Sequence, residues 1–371
     1  MFNRSTYLIR FLIFWYLLGS STVQGQILKD TTSLNLLKKG VDFIYNFRFD
    51  EARDFAGRLN YAFPGHPVVH LLNGMIIYWE NFPLMPPSPA CISYENEMRE
   101  CIRLSEGIHD RTDYAEYLLS NLGGRGMLLL YYADNNLSDE VVPLAKSTYS
   151  LIRQAFDYSS YYDDFYFFTG LYNYYREAYP DAHPIYKVVA FLFPKGDRSK
   201  GLKEILLAAN NSIVMKAESF SILSFIYIHY ENNYLKAYEY SKSLFELYPA
   251  NPSYLAGYIT NMLLVKKYDQ AEDIIKSSEK ETTNSYFQAQ LSIFKGILQE
   301  KKYHDNKLAQ KYYFKGINDI SAFDYYGNEY SAYAYFGLSR ISDIDGDKRN
   351  KKTYRKKAVE LTNYKKVNFD D

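Results

Sequence analysis

The chain has 371 residues with 43 basic and 43 acidic side chains, so its formal charge is zero. That balance gives no global pull toward nucleic acid or an anionic membrane, and no nucleic-acid partner is expected. Forty Tyr and 24 Phe are far more rings than one small core holds; they must pack between elements or line a groove.

The first 25 residues read as a secretory leader. Arg4 and Arg10 supply the positive start, Phe11 to Leu18 the apolar centre, and Ser20 to Gly25 a small, polar exit. Cleavage after Gly25 is expected. The apolar run falls short of the ~20 residues of a comfortable membrane span, so no integral span is expected once the leader is gone. No cysteine follows the cut to carry a lipid anchor. These features predict an exported protein of the periplasm or cell envelope, with residues 26–371 as the folded part.

Within that part a pattern recurs every ~34 residues. In a unit beginning at Ser33, Gly40, Phe43, Ala52, Ala56, Leu59 and Pro64 fall at positions 8, 11, 20, 24, 27 and 32. The next unit begins at Pro67 and repeats the glycine with Gly74. This spacing resembles the tetratricopeptide repeat, in which small residues mark the contact of two helices and a proline closes the unit. One such pair cannot bury its own apolar face, so several must stack.

A Pro-rich insert, 81–89, separates the two helices of the second unit, and Ser88-Pro89 looks like an N-cap followed by proline at N1. Cys91 and Cys101 fall in the helix that follows, ~15 Å apart along its axis, too far for a disulfide; two buried free thiols are expected. The third unit places Gly126 at position 8, and the fourth Gly170. An irregular break at 180–198 follows, with a short apolar helix expected over Ile185–Phe193. Phe225, Ala237, Leu244 and Pro249 mark the fifth unit, Ile259 and Ala271 the sixth, Gly296 the seventh, and Gly337 with Ala358 the eighth. The basic run Lys348–Lys357 reads as the solvated cap that a terminal repeat requires. The prediction is all-α: an α-solenoid of about eight tetratricopeptide-like helix pairs.

Phe168-Thr169-Gly170-Leu171-Tyr172-Asn173, Tyr179-Pro180 and Gly196-Asp197-Arg198 with Gly201-Leu202 resemble a signature of a eukaryotic tetratricopeptide family linked to inclusion-body clearance and lipid droplets. That family is cytosolic, so only the fold is carried over.

Candidate chemistry is sparse. His66 and His70 have the spacing of two ligands on a helix, but Pro67 stands between them and His66 belongs to the preceding turn. Asp343, Asp345 and Asp347 around Gly346 lack the glycine and glutamate register of a calcium loop and read as a turn. Gly196–Gly201 lacks the lysine of a phosphate loop. Asp163-Asp164 reads as a helix-start pair. No catalytic residue, metal ligand or cofactor is expected, and the protein is read as a non-enzyme.

The tetratricopeptide resemblance implies a concave wall built from the first helix of each unit. Position 13 is Tyr45, Trp79, Tyr131, Tyr175 and Tyr230 in five successive units. Tyr78 and Tyr174 join them at position 12, and Phe167 and Phe168 at positions 5 and 6 of the fourth unit. The stripe then stops at Leu264. An aromatic ladder of this kind predicts a groove for a protein partner in extended conformation, or for stacking on the rings of a glycan. A clamp for a terminal carboxylate is disfavoured, because Leu34, Leu37, Val41, Leu71 and Met75 stand beside Lys38 where polar groups are needed.

Overall fold

A computed structural model describes residues 26–107, 112–182, 193–362 and 369. The chain forms an all-α helical repeat solenoid, with no strand among the described residues. Eight consecutive pairs run in order: α1 (Thr31–Tyr45) with α2 (Phe49–Ala62), α3 (Pro67–Glu80) with α4 (Pro89–Ser105), α5 (Tyr114–Asp134) with α6 (Ser138–Tyr158), α7 (Phe165–Ala182) with α8 (Arg198–Asn211), α9 (Lys216–His229) with α10 (Tyr234–Leu247), α11 (Pro252–Leu264) with α12 (Tyr268–Glu281), α13 (Ser285–Leu298) with α14 (Asn306–Ile320), and α15 (Asn328–Ile344) with α16 (Lys348–Leu361). A π-helical turn, Gln299–Tyr303, extends α13, and a short 3-10 segment, Ser321–Gly327, precedes α15. The leader expected over residues 1–25 and the helix expected at Ile185–Phe193 fall outside the described residues, save Phe193.

Local chemistry sets the helix ends. Ser88 Oγ accepts from the Cys91 amide at 3.2 Å, and Pro89 follows at N1. Asp197 and Asp347 cap α8 and α16 by accepting from the Lys200 and Asn350 amides, each at 2.9 Å. The Asp345–Asp347 stretch is the turn between the last two helices. Cys91 and Cys101 are buried free thiols on α4.

Where α7 and α8 cross, the position-8 glycine Gly170 and its partner Gly201 let backbones touch. A Cβ on Gly201 would lie 2.5 Å from the Tyr174 amide nitrogen and 2.7 Å from the Gly170 carbonyl oxygen, so α7 and α8 meet main chain to main chain. Gly296 and Gly337 instead make room for the ring of Tyr313, which would meet a Cβ from either side at 2.4–2.5 Å. The third unit departs from the expected register. Gly126 has open space around it, while Gly123 faces Leu71 and Gly124 faces Cys101, so the contact lies two to three residues earlier.

The solenoid curls until its first units meet its later ones. Val214, Met215, Ala217, Leu244, Tyr248 and Tyr254, from the fifth and sixth pairs and the turn before α9, belong to the same buried core as α1 to α5. A second core runs from Tyr174 to the C-terminal pairs, and Phe82 of the Pro-rich insert packs against both. At the far end, α16 buries only Ala358 and exposes most of its lysines and arginines to water.

Candidate binding surface

Most of the aromatic rings expected to line a concave wall are used inside the protein. Tyr45, Tyr78, Trp79, Tyr131, Phe168 and Tyr174 are all buried; even Trp79 is only 8% exposed. Tyr45 stacks against Trp79, Tyr248 and Tyr254 with centroids 5.8, 5.2 and 5.9 Å away. Trp79 reaches Tyr254 at 5.5 Å. Tyr78 and Tyr131 pack on either side of Tyr94, at 5.7 and 5.2 Å. The open groove expected along these six rings is thus absent among the described residues. The reason is curvature: residues of the fifth to seventh pairs occupy the space in front of the wall. Phe167, Tyr175 and Tyr230 remain half-buried, and Tyr175 and Tyr230 pack ring to ring at 5.4 Å.

Hydroxyls in this interior find carboxylates. Tyr45 donates to Glu218 Oε1, linking α1 to α9. Tyr174 donates to Glu231 at 2.6 Å, and Arg198, whose guanidinium lies over the Tyr174 ring, donates to the same oxygen at 2.9 Å. Tyr313 donates to Glu300 at 2.6 Å, and that carboxylate also accepts from Arg340 at 2.6 and 2.9 Å. Glu218 is the exception in charge: among the described residues no cation pairs with it, and its Oε2 is buried without a hydrogen-bond partner. Burial pushes its carboxyl up to about 8.

The other polar candidates are engaged by the protein itself. His66 Nδ1 accepts from the Val68 amide at 3.2 Å, while its Nε2 lies 3.4 Å from Glu116. His70 meets Glu97 at 2.7 Å. Among the described residues no group of three His, Cys, Asp or Glu is placed to hold a metal ion. Asp164 accepts from the amides of Ile213, Val214 and Met215 at 2.7–3.2 Å. Of the acidic pair, Asp164 thus serves the start of α9.

Accessible relief lies on the outside, around α6. This helix has 21 residues, of which only Thr148 and Ala155 are buried. A cleft of about 250 Å³ on one flank is lined by Tyr149, Ile152, Arg153 and Phe156 of α6, Tyr172 and Asn173 of α7, and Pro194 with Lys195. The Tyr172 hydroxyl donates to the Pro194 carbonyl at 2.7 Å, and burial pushes it up to about 12. The other flank carries a wider cleft of about 490 Å³ between α4, α5 and α6. Its floor is the buried Arg125, held by Asn121, Ser147 and Glu106 at 2.7, 2.6 and 3.0 Å. Sequence reasoning weighed only the first helix of each unit and so passed over α6. The signal was there: Tyr149, Ile152 and Phe156 recur at helical spacing beside the buried stripe and make the apolar face broader than packing needs.

No protein-family model matches the chain, and no curated protein or solved structure matches it. Among the described residues no helix is long and apolar enough to cross a membrane.

Proposed function

We propose that this is an exported, non-enzymatic scaffold of the tetratricopeptide type that binds another protein through the outer face around α6. The leader-like residues 1–25 support export to the periplasm or cell envelope, and the stacked helix pairs support a binding role. One observation carries the choice of face: α6 leaves Tyr149, Ile152 and Phe156 half-buried, and with Tyr172 and Arg153 they line a cleft. Aromatic and arginine side chains around a partly desolvated hollow are the composition from which interface anchors are drawn.

The test is retention of a defined protein from native envelope extract by the chain beginning at Gln26. Phe156→Ala with Arg153→Glu should weaken that retention tenfold or more, with unchanged helicity. Undiminished retention would remove α6 as the face. A second reading rests on the same cleft: three aromatic rings with Arg153, Asn173 and Lys195 at its margin also suit one sugar ring of a glycan. Bound oligosaccharide instead of protein would favour it.

A further inference from the structure

The two clefts that flank α6 differ in how their cations are matched. On the wider side Arg99, Arg103 and Arg125 hold Glu95, Glu100 and Glu106 at 2.5–3.2 Å, so each guanidinium there is already met. On the narrower side Arg153 of α6 and Lys195 of the stretch before α8 line the wall, and the lining holds no Asp or Glu. Both are exposed, and neither has an ion pair or a hydrogen bond among the described residues. The adjoining sequence 183–192 contains no acidic residue either. A third cation, Lys200, stands over the Phe156 ring at 5.9 Å, but it is matched to Glu204 at 3.6 Å.

The apolar part of the narrower cleft is angular. Phe156 meets Tyr172 at 6.0 Å and 89°, Tyr149 meets Tyr172 at 5.7 Å and 39°, and Phe193 closes on Tyr149 at 4.8 Å and 79°. Rings set at such angles leave a corner for the edge of another aromatic ring, which they serve better than the flat face of a sugar. The volume of about 250 Å³ lies below the ~300–1,000 Å³ of small-molecule sites, room for one side chain and not for a cofactor.

From this imbalance we propose that the cleft recognises an acidic-aromatic segment of the partner protein. Arg153 and Lys195 take the carboxylate of a Glu or Asp, and a neighbouring Phe or Tyr of the partner enters the corner between Tyr149, Phe156 and Tyr172. This rests on the scaffold reading and names the chemistry of its partner. The guanidinium offers a carboxylate two parallel N–H donors, and the ammonium adds a point charge. The ring supplies the buried area, while the two cations decide which segments are admitted.

The probe is the peptide acetyl-Gly-Glu-Phe-Glu-Gly-amide with a fluorine on its Phe ring, titrated by fluorine NMR with the chain beginning at Gln26. It should bind at least tenfold more tightly than the same peptide with Gln for both Glu, and rising salt should erase that difference. Arg153→Gln with Lys195→Gln should lower the affinity for the Glu peptide to that for the Gln peptide. Both side chains are exposed and unpaired, so helicity should stay unchanged. Equal binding of the two peptides overturns the proposal, as does no binding, or undiminished binding by the double variant. Displacement of the peptide by glucuronate at lower concentration than by acetylglutamate would assign the site to an acidic sugar, and overturns it too. Envelope retention lost with Phe156→Ala but kept in the double Gln variant would overturn this inference and leave the scaffold reading standing. Acid-selective peptide binding with no retained protein would do the converse.

Discussion

Glu218→Gln separates the closure of the solenoid from the rest of its stability. Glu218 sits where α9 meets α1, donor to its carboxyl being Tyr45, with Tyr248 and Tyr254 also beside it. Burial raises its carboxyl from an ordinary 4.5 to about 8. The folded state therefore keeps a proton that the unfolded chain has already lost between those values, and stability falls as pH rises through that window. At about 1.4 kcal/mol per unit, the full difference is on the order of 4–5 kcal/mol, complete above about pH 8. His229 works in the opposite sense, since burial lowers it and its contribution is lost as pH falls below its ordinary 6.5. Comparing wild type with Glu218→Gln cancels that term. Gln keeps a hydrogen-bond acceptor for Tyr45 and has no charge to bury. Thermal unfolding by circular dichroism should show the wild type losing several degrees more than the variant between about pH 5 and about pH 8.5. Parallel pH curves would refute the reasoning, because Glu218 would then titrate as a solvated carboxylate and the closure would not bury it.

Gly201→Ala should cost ~1–3 kcal/mol in urea unfolding, since its Cβ meets backbone at 2.5 Å, whereas Gly126→Ala, in open space within α5, should gain ~0.5–1 kcal/mol. Equal effects at the two sites would contradict the helix contacts. Asp164→Ala should leave the amides of Ile213, Val214 and Met215 without their acceptor and cost on the order of 2 kcal/mol or more. Hydrogen exchange should then rise first at the start of α9.

What the sequence made legible was local. Ser88-Pro89 acts through an amide three residues away, so its cap follows from neighbouring residues alone. The glycines at Gly170, Gly296 and Gly337 mark close contacts because the 34-residue period brings them there. In the third unit, three glycines within four residues left the register to packing, and Gly123 and Gly124 took the contact in place of Gly126. The fate of the aromatic ladder depended on contacts spanning most of the chain. Tyr45 meets Glu218 across 173 positions and Phe82 meets Asn284 across 202. No repeat period encodes such pairings, because superhelical curvature sums small rotations from every unit. Asp164 was missed as the cap of α9 for the same reason: its partners lie 49–51 residues on.

The central claim, that the solenoid closes on its own aromatic wall, has a built-in reporter. The chain holds two tryptophans, Trp15 and Trp79, so a chain beginning at Gln26 has Trp79 as its sole tryptophan and, excited at the red edge of tryptophan absorption, reports from it. Trp79 is 8% exposed, enclosed by Tyr45, Tyr254 and Phe82. The account predicts blue-shifted emission and strong resistance to acrylamide quenching in the folded protein, with both lost on replacing residues 82–87 with Gly and Ser. Red-shifted, freely quenched emission from the folded chain would contradict it, showing an open groove with the ladder facing water.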